Sequence, residues 1–183
     1  MAKVSICVPT YNNASEVERL LQSVHRQNYT DYEVNISDDS TNEETAELME
    51  RIRTEWSWQD KLHYIHIEKP LGHIYNWNAA IKMAAGEYIK IMFSDDWFTA
   101  EDSLGSFVSM LDEHPEADLA FSGSMQVLLD GQDIEQVKHL NKQVTEHGNA
   151  YARYAEDAFI ERLHRNYKLF FLGNQIGAPS AGI

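Results

Sequence analysis

The sequence has little cysteine and few basic residues, and each shortage excludes a class of protein. The single cysteine, Cys7, excludes an intrachain disulfide and a cysteine-rich zinc site. The 183 residues carry 15 Lys and Arg against 29 Asp and Glu, a formal net charge of -14. Binding to nucleic acid and to anionic membrane surfaces depends on clusters of Lys and Arg. We therefore expect no nucleic-acid partner.

Long hydrophobic runs are also missing. No stretch approaches the roughly 18 consecutive apolar residues of a membrane-spanning helix, and the first residues show no signal-peptide pattern. The hydrophobic content of 43% suits one globular domain. These features lead us to expect a soluble, unprocessed chain in the cytoplasm.

Several motifs of known catalytic folds are absent. The sequence contains no G-x-x-x-x-G-K-[ST] phosphate loop, no G-x-G-x-x-G after a strand and no H-E-x-x-H. This argues against P-loop enzymes, dinucleotide-binding enzymes and zinc proteases of that type. Cys7 lies inside an apolar run, so we expect a small core residue rather than a nucleophile.

What the sequence does contain is an alternation of short β-branched runs with longer segments of helical periodicity. This pattern predicts an α/β protein with a mostly parallel sheet flanked by helices. The predicted strands cover residues 4–8, 33–37, 62–67 and 88–93.

Four helices are predicted between and after these strands. Capping boxes are expected to start the first, at Ser15 and Glu18, and the second, at Thr41 and Glu44. The third is expected over residues 74–85, with Gly86 at its C′ position and Trp77 in the core; the fourth is expected to begin at Thr99. The residues expected on the apolar faces are Val17, Leu20, Leu21, Val24, Leu48, Met49, Ile52, Leu104, Phe107, Val108 and Leu111.

Beyond Asp118 the pattern weakens, and we expect strands over 119–129, a mobile polar connection over 132–148 and a helix over 151–164.

Polar clusters follow three of the predicted strands. They are residues 9–12, 38–40 and 94–96. Since open parallel sheets bind ligands beyond the carboxyl ends of their strands, these clusters are the first candidates for a site.

Asp95 and Asp96 are adjacent carboxylates directly after an apolar run. Mg²⁺ and Mn²⁺ prefer such oxygen ligands, and one or two carboxylates together with substrate phosphates suffice for Mg²⁺. The alternative is that one of them caps the next helix. Asp39 could likewise cap a helix, but Thr41 and Glu44 are expected to do so, which leaves Asp39 to accept hydrogen bonds from a base or a ribose. Tyr11 could stack on a nucleobase or simply cover the sheet edge.

Four segments together resemble glycosyltransferase family 2. They are V-S-I-C-V-P-T-Y-N-N (4–13), I-S-D-D-S (36–40), N-W-N-A-A-I-K-M-A-A-G-E-Y-I-K (76–90) and F-S-D-D-W (93–97), in the order and spacing of that family. The resemblance implies a GT-A fold and an inverting transfer of sugar from a nucleoside diphosphate sugar, with UDP favoured, to a glycan or lipid-linked acceptor. It also implies a Mn²⁺ or Mg²⁺ cofactor and a role in bacterial surface polysaccharide assembly, with peripheral contact at the inner membrane face left open.

The resemblance also assigns residues. Pro9, Thr10, Tyr11, Asn12, Asp39, Asn78 and Asp95 are expected to bind substrate, Asp96 to bind the metal directly, and Asp95 to lie nearer the ribose or a metal-bound water. Residues 1–98 form the expected nucleotide-sugar-binding half of a single domain over 1–183, and residues 99–183 begin the acceptor-binding half.

This sequence departs from the family pattern at three places. Ser40 stands where many members have glycine, and Trp77 stands where many have an arginine near the phosphates. The G-A-P-S-A-G-I ending resembles a stretch that precedes the family's catalytic base. We therefore expect the C-terminal part to be truncated and the general base to lie beyond Ile183. Alternative functions are a non-catalytic nucleotide-sugar-binding module and a nucleotidyltransferase, although residues 9–13 lack the Gly-rich basic loop of the latter.

Overall fold

The computed structural model describes residues 2–122 and Ile183. Most of the strands predicted over 119–129, the connection over 132–148 and the helix over 151–164 lie outside these residues. Apart from Phe121 and Ser122, the described residues belong to a compact unit formed by residues 1–120 and 182–183. The predicted division of the chain at residue 98 stays a prediction.

The core of this unit is a four-stranded parallel sheet in the order β3-β2-β1-β4. Its strands are β1 (Val4–Thr10), β2 (Tyr32–Asp38), β3 (Leu62–His66) and β4 (Tyr88–Ile91). The predicted α/β class is confirmed, with β4 ending at Ile91 instead of residue 93. Every residue of β1 is buried, as expected for a strand covered on both faces of a parallel sheet. Because β1 lies between β2 and β4, the carboxyl ends of these three strands meet at one edge.

Four helices accompany the sheet. They are α1 (Ala14–His25), α2 (Glu44–Glu55), α3 (His73–Lys82) and α4 (Ser103–Glu113). Every residue predicted for the apolar faces of the first, second and fourth helices is buried. Each large aliphatic or aromatic side chain contributes about 1.5–3 kcal/mol through burial, so these faces hold the helices on the sheet. None of the helices within the described residues is long and apolar enough to cross a bilayer.

Both predicted capping boxes are wrong. Ser15 is already inside α1, and its hydroxyl donates to Glu16 Oε2 (2.8 Å). α2 begins only at Glu44, and Thr41 instead uses its backbone N–H to bond Asn12 Oδ1 (2.9 Å). The competing partner, Asn12, comes from a different loop and could not be recognised from the local pattern.

Gly86 has a different role from the one predicted. α3 ends at Lys82, so Gly86 is not at its C′ position. A Cβ atom at Gly86 would lie 2.8 Å from both the backbone nitrogen and Oγ of Ser5, and the Gly86 N–H donates to that Oγ (2.8 Å). The glycine therefore allows the chain to approach β1 closely. The fourth helix begins at Ser103 rather than Thr99.

Cys7 is fully buried in β1, as the sequence predicts, and its thiol is expected to be nearly inert in the native protein. Burial raises the pKa of Cys7 from 9.0 to about 11. Since the thiolate is the reactive form, native Cys7 should react with a disulfide reagent at least about 100-fold more slowly than the unfolded chain at neutral pH. The absorbance of released thiolate, followed with and without denaturant, measures this directly because the chain has one cysteine. Equal rates in the two conditions would contradict the buried position.

Candidate functional site

A cleft of about 770 Å³ opens at the carboxyl edge of the sheet. Open parallel sheets bind ligands at this edge, and the volume is typical of a small-molecule site. The predicted site residues that line it are Pro9, Thr10, Tyr11, Asp39 and Asp95. Another groove, of about 620 Å³, lies between α4 and the connection that precedes β2. This groove is a weaker candidate because it lies beside the amino end of β2, whereas open parallel sheets bind ligands at the carboxyl ends of their strands.

Two of the predicted substrate-binding residues are not brought to the cleft. Asn12 is exposed with φ 51°, and its N–H donates to Ser40 Oγ (2.8 Å). Asn78 is exposed on α3, where its amide donates to the carbonyl of Ile74 (2.8 Å). α3 instead presents Asn76 to the cleft, with a side chain that donates to the carbonyl of Thr10 (2.9 Å).

Trp77 is half-buried and lines the cleft instead of lying in the core. Its ring packs against Phe93, with centroids 4.9 Å apart, and meets the edge of His73 at 5.7 Å. Ile74, the first residue of the predicted helix, is 60% exposed. The buried residues of α3 are Asn76 and Ala80, so this helix has no continuous apolar face of large side chains.

The two consecutive aspartates after β2 have different environments. Asp38 is completely buried, where its carboxylate accepts from the Tyr64 hydroxyl (2.8 Å) and the Ser40 N–H (3.0 Å). Burial, and secondly the hydrogen bond to Asp38, raise the pKa of Tyr64. Asp38 therefore stabilises the end of the strand, whereas Asp39 faces the cleft.

Asp39 organises the segment that leads into α3. Its two carboxylate oxygens accept the backbone N–H groups of Leu71 and Gly72, each at 2.9 Å. A carboxylate has about four lone-pair positions, so these bonds leave Asp39 able to accept from a ligand. Tyr11, which also lines the cleft, is 54% exposed and has ring surface available for stacking.

Asn13 connects the loops after β1 and β4, a role the sequence did not indicate. Its Oδ1 accepts from the Thr10 hydroxyl, and its Nδ2 donates to Ser94 Oγ. Because Ser94 directly precedes Asp95, Asn13 ties the first loop to the carboxylate pair. Local sequence could not reveal this bridge, because the partner of Asn13 is 81 residues away.

The carboxylate pair after β4 fits a shared metal–phosphate site better than a metal site made by protein alone. Asp95 is exposed in the cleft, and Asp96, which does not line it, is half-buried beside it. Within residues 2–122 and Ile183, no group of three or more His, Cys, Asp and Glu side chains could hold a metal ion. Mg²⁺ is usually coordinated by one or two carboxylates together with substrate phosphates and waters, which is the arrangement that this pair allows.

Lys90 supplies a buried positive charge behind this pair. It is 1% exposed, and burial lowers its pKa from 10.5 to about 8, while the charge of Asp96 acts in the opposite direction. Asp96 thus lies within electrostatic reach of a buried ammonium group.

Gly72 adopts a backbone conformation that favours glycine, and alanine there is expected to destabilise the protein. Its φ of 85° and ψ of 166° direct its N–H to Asp39, and an added Cβ would meet no atom within 4 Å. The cost of Gly72→Ala is therefore conformational, and we expect the free energy of unfolding to fall by about 1–3 kcal/mol in urea titrations.

Gly105→Ala is the matched control for this change. Gly105 lies within α4, and its added Cβ would make ordinary contacts at 3.6 Å with Asn28 and Tyr29. Alanine is expected to stabilise this helical position by roughly 0.5–1 kcal/mol. A Gly72→Ala protein as stable as the wild type would contradict the proposed strain.

The fold and the site together define an α/β protein with a parallel sheet and a cleft at the carboxyl ends of its strands. The model of the family described as glycosyl transferase family 2 matches residues 5–171. The chain therefore belongs to glycosyl transferase family 2.

Individual relatives agree with this assignment. The chain is 32% identical over 117 residues to the poly(ribitol-phosphate) β-N-acetylglucosaminyltransferase TarS of Staphylococcus aureus, a match that covers 62% of this chain and 20% of TarS. It is 32% identical over 115 residues to the abequosyltransferase RfbV of Salmonella typhimurium, covering 62% of this chain and 34% of RfbV. The chain thus spans only a fifth to a third of the length of these relatives.

Solved structures show the same fold. The structure of S. aureus TarS 1–349 in complex with UDP superposes with a TM-score of 0.61 at 29% identity, covering 72% of this chain and 38% of that one. The mannosyltransferase PcManGT from Pyrobaculum calidifontis, in complex with GDP-Man and Mn²⁺, gives a TM-score of 0.54 at 27% identity, covering 60% of this chain and 32% of that one. The expected GT-A fold is confirmed.

Proposed function

We propose that this chain is the donor-binding part of an inverting glycosyltransferase that uses a nucleoside diphosphate sugar, with UDP as the nucleotide. The sugar passes to a glycan or lipid-linked acceptor, with the help of Mn²⁺ or Mg²⁺. The observation that carries the proposal is the arrangement of the cleft around the end of β1. Tyr11 follows β1, Asp39 follows β2, and Asp95 lines the cleft in the loop after β4, with Asp96 next to it in the chain.

This arrangement suits the two ends of a nucleotide. The exposed ring of Tyr11 stacks on the base, an interaction of about 1–3 kcal/mol, and Asp39 accepts a hydrogen bond from the base or the ribose. Pro9 and Thr10 form the floor between the two sides. Asn13 keeps this floor attached to Ser94 and therefore to the carboxylate pair.

The carboxylate pair serves the diphosphate end. Asp96 binds the divalent cation, and Asp95 orients the ribose or a water molecule beside it. A divalent cation held there supplies positive charge against the negative charge that develops on the departing diphosphate. We assign no general base to the described residues.

The relatives support the choice of nucleotide and metal. UDP and UDP-GlcNAc are present in TarS complexes, whereas GDP-Man and Mn²⁺ are present in the PcManGT complex. The identity to TarS and the absence of lysine and arginine among the described residues that line the cleft favour a nucleotide bound together with a cation.

Calorimetric titration of the whole chain with UDP and with GDP, in the presence and absence of Mn²⁺, tests the proposal. We expect UDP binding that depends on Mn²⁺ and a clearly weaker response to GDP. Preference for GDP would overturn the choice of nucleotide alone. If neither nucleotide binds with Mn²⁺ or with Mg²⁺, the donor-site proposal is wrong for this chain.

A further inference from the structure

The described residues that line the cleft carry negative charge, and one side chain among them can offset it. The ionisable acids that line the cleft are Asp39 and Asp95, and no lysine or arginine among the described residues lines it. A nucleoside diphosphate adds negative charge to this acidic cleft. Among the described lining residues, His73 is the only side chain that can carry a positive charge, and its ring N–H can donate to phosphate.

His73 lies on the wall that leads toward the carboxylate pair. It is the first residue of α3, and its ring meets Trp77 one helical turn later, with centroids 5.7 Å apart. Trp77 in turn packs on Phe93 at 4.9 Å, and Phe93 comes two residues before Asp95 in the chain. This row of rings runs from His73, which follows the Asp39-bound Gly72, across the cleft toward the loop that carries Asp95, and His73 itself stays exposed.

The start of α3 contributes to anion binding in one further respect. Its first turn contains no acidic residue and its N-cap Gly72 has no side chain, so the first backbone N–H groups keep partial positive charge, which the Asp39 carboxylate at the Gly72 N–H partly offsets. Asn76, on the same helix face, is 3% exposed and lines the cleft. Its Oδ1 has no hydrogen-bond partner among the described residues. This atom is enclosed by protein, so the contribution of Asn76 to the site is to hold α3 on the end of β1 through its bond to the Thr10 carbonyl.

We propose that His73 is a diphosphate-binding residue, which donates a ring N–H to a phosphate oxygen of the donor at the beginning of α3. This inference rests on the proposed nucleotide-sugar function and adds to it a residue that contacts the leaving group. The aromatic contact with Trp77 orients the ring.

The test compares ligands that do and do not carry phosphate. UDP binding is measured by calorimetry at saturating Mn²⁺, and uridine binding by ligand-observed NMR, for the wild type, His73→Ala and His73→Arg. We expect His73→Ala to weaken UDP binding about 10- to 100-fold, the range for a lost hydrogen bond to a charged group, and to leave uridine binding unchanged. His73→Arg should restore most of the UDP affinity, since it returns a phosphate donor to the same position.

His114→Ala is the matched control. His114 is exposed just after α4, where its ring lies 3.3 Å from Glu116, and it does not line the cleft. Its loss should leave both affinities at the wild-type level. Equal weakening of UDP and uridine by His73→Ala, or unchanged UDP binding, would overturn the role of His73 while the donor site stands. A wild type that binds no nucleotide would instead overturn the proposed function, and this inference with it.

Discussion

Replacing Asp96 by asparagine is expected to lower the Mn²⁺-dependent affinity of this chain for UDP by about 10- to 100-fold. The change keeps the size of the side chain but removes the negative charge that a hard cation requires. Asp96 is half-buried beside Lys90, so its orientation is constrained and water replaces it poorly. Calorimetry at several Mn²⁺ concentrations should show that the lost affinity is the metal-dependent part.

Asp95 and Asp60 provide the comparisons. Asp95→Asn is expected to weaken UDP binding also without Mn²⁺, because Asp95 lines the cleft and is assigned to the ribose or to a water molecule. Asp60→Asn removes an exposed carboxylate between α2 and β3, which lies outside the cleft, and should have no effect. If Asp96→Asn binds UDP as the wild type does at every Mn²⁺ concentration, Asp96 is not the metal ligand.

The second large effect concerns Lys90, whose replacement by methionine is expected to raise the free energy of unfolding at neutral pH by roughly 1–3 kcal/mol. The ammonium of Lys90 is buried next to the rings of Phe98 and Phe107, with Nζ 5.8 Å and 4.9 Å from their centroids. Burial lowers the pKa of Lys90 to about 8, so its charged form destabilises the native state. The attraction of Asp96 is already part of this shift, and the gain is expected to be smaller than the shift implies because the substitution also removes a positive charge from near Asp96.

The same pKa shift predicts a dependence on pH. Between pH about 8 and 10.5, the unfolded chain holds more protons at Lys90 than the native protein does, so raising the pH through this window stabilises the wild type. The stability difference between Lys90→Met and wild type should therefore shrink as the pH rises, as measured by urea denaturation in metal-free buffer. Lys82→Met, at an exposed position of α3, should change stability by less than about 0.5 kcal/mol. A difference between Lys90→Met and wild type that does not vary with pH would contradict the buried charge.

The helices of this fold were largely predictable because their apolar faces repeat at helical spacing. Val17, Leu20 and Leu21 illustrate this, since all are fully buried where α1 packs on the sheet. α3 was predicted with less success, because its inner face carries Asn76 and Trp77 while Ile74 points to solvent. A helix that borders a ligand cleft does not show the apolar face on which such predictions depend.

The candidate site was predictable where it depends on strand ends. Pro9, Tyr11, Asp39 and Asp95 all follow predicted strands and all line the cleft. Asn13 was missed as a bridge, because its partner Ser94 becomes a neighbour only when β1 pairs with β4.

The sequence by itself therefore determined the α/β class, the order of the elements, the buried faces of three helices and the polar strand ends, because these follow from local periodicity and strand chemistry. Only the tertiary structure decided which polar residues meet. It separated buried Asp38 from cleft-facing Asp39 and brought Asn76 to the cleft instead of Asn78. These outcomes depend on strand order and on where α3 begins, and both are set by contacts between residues far apart in the chain.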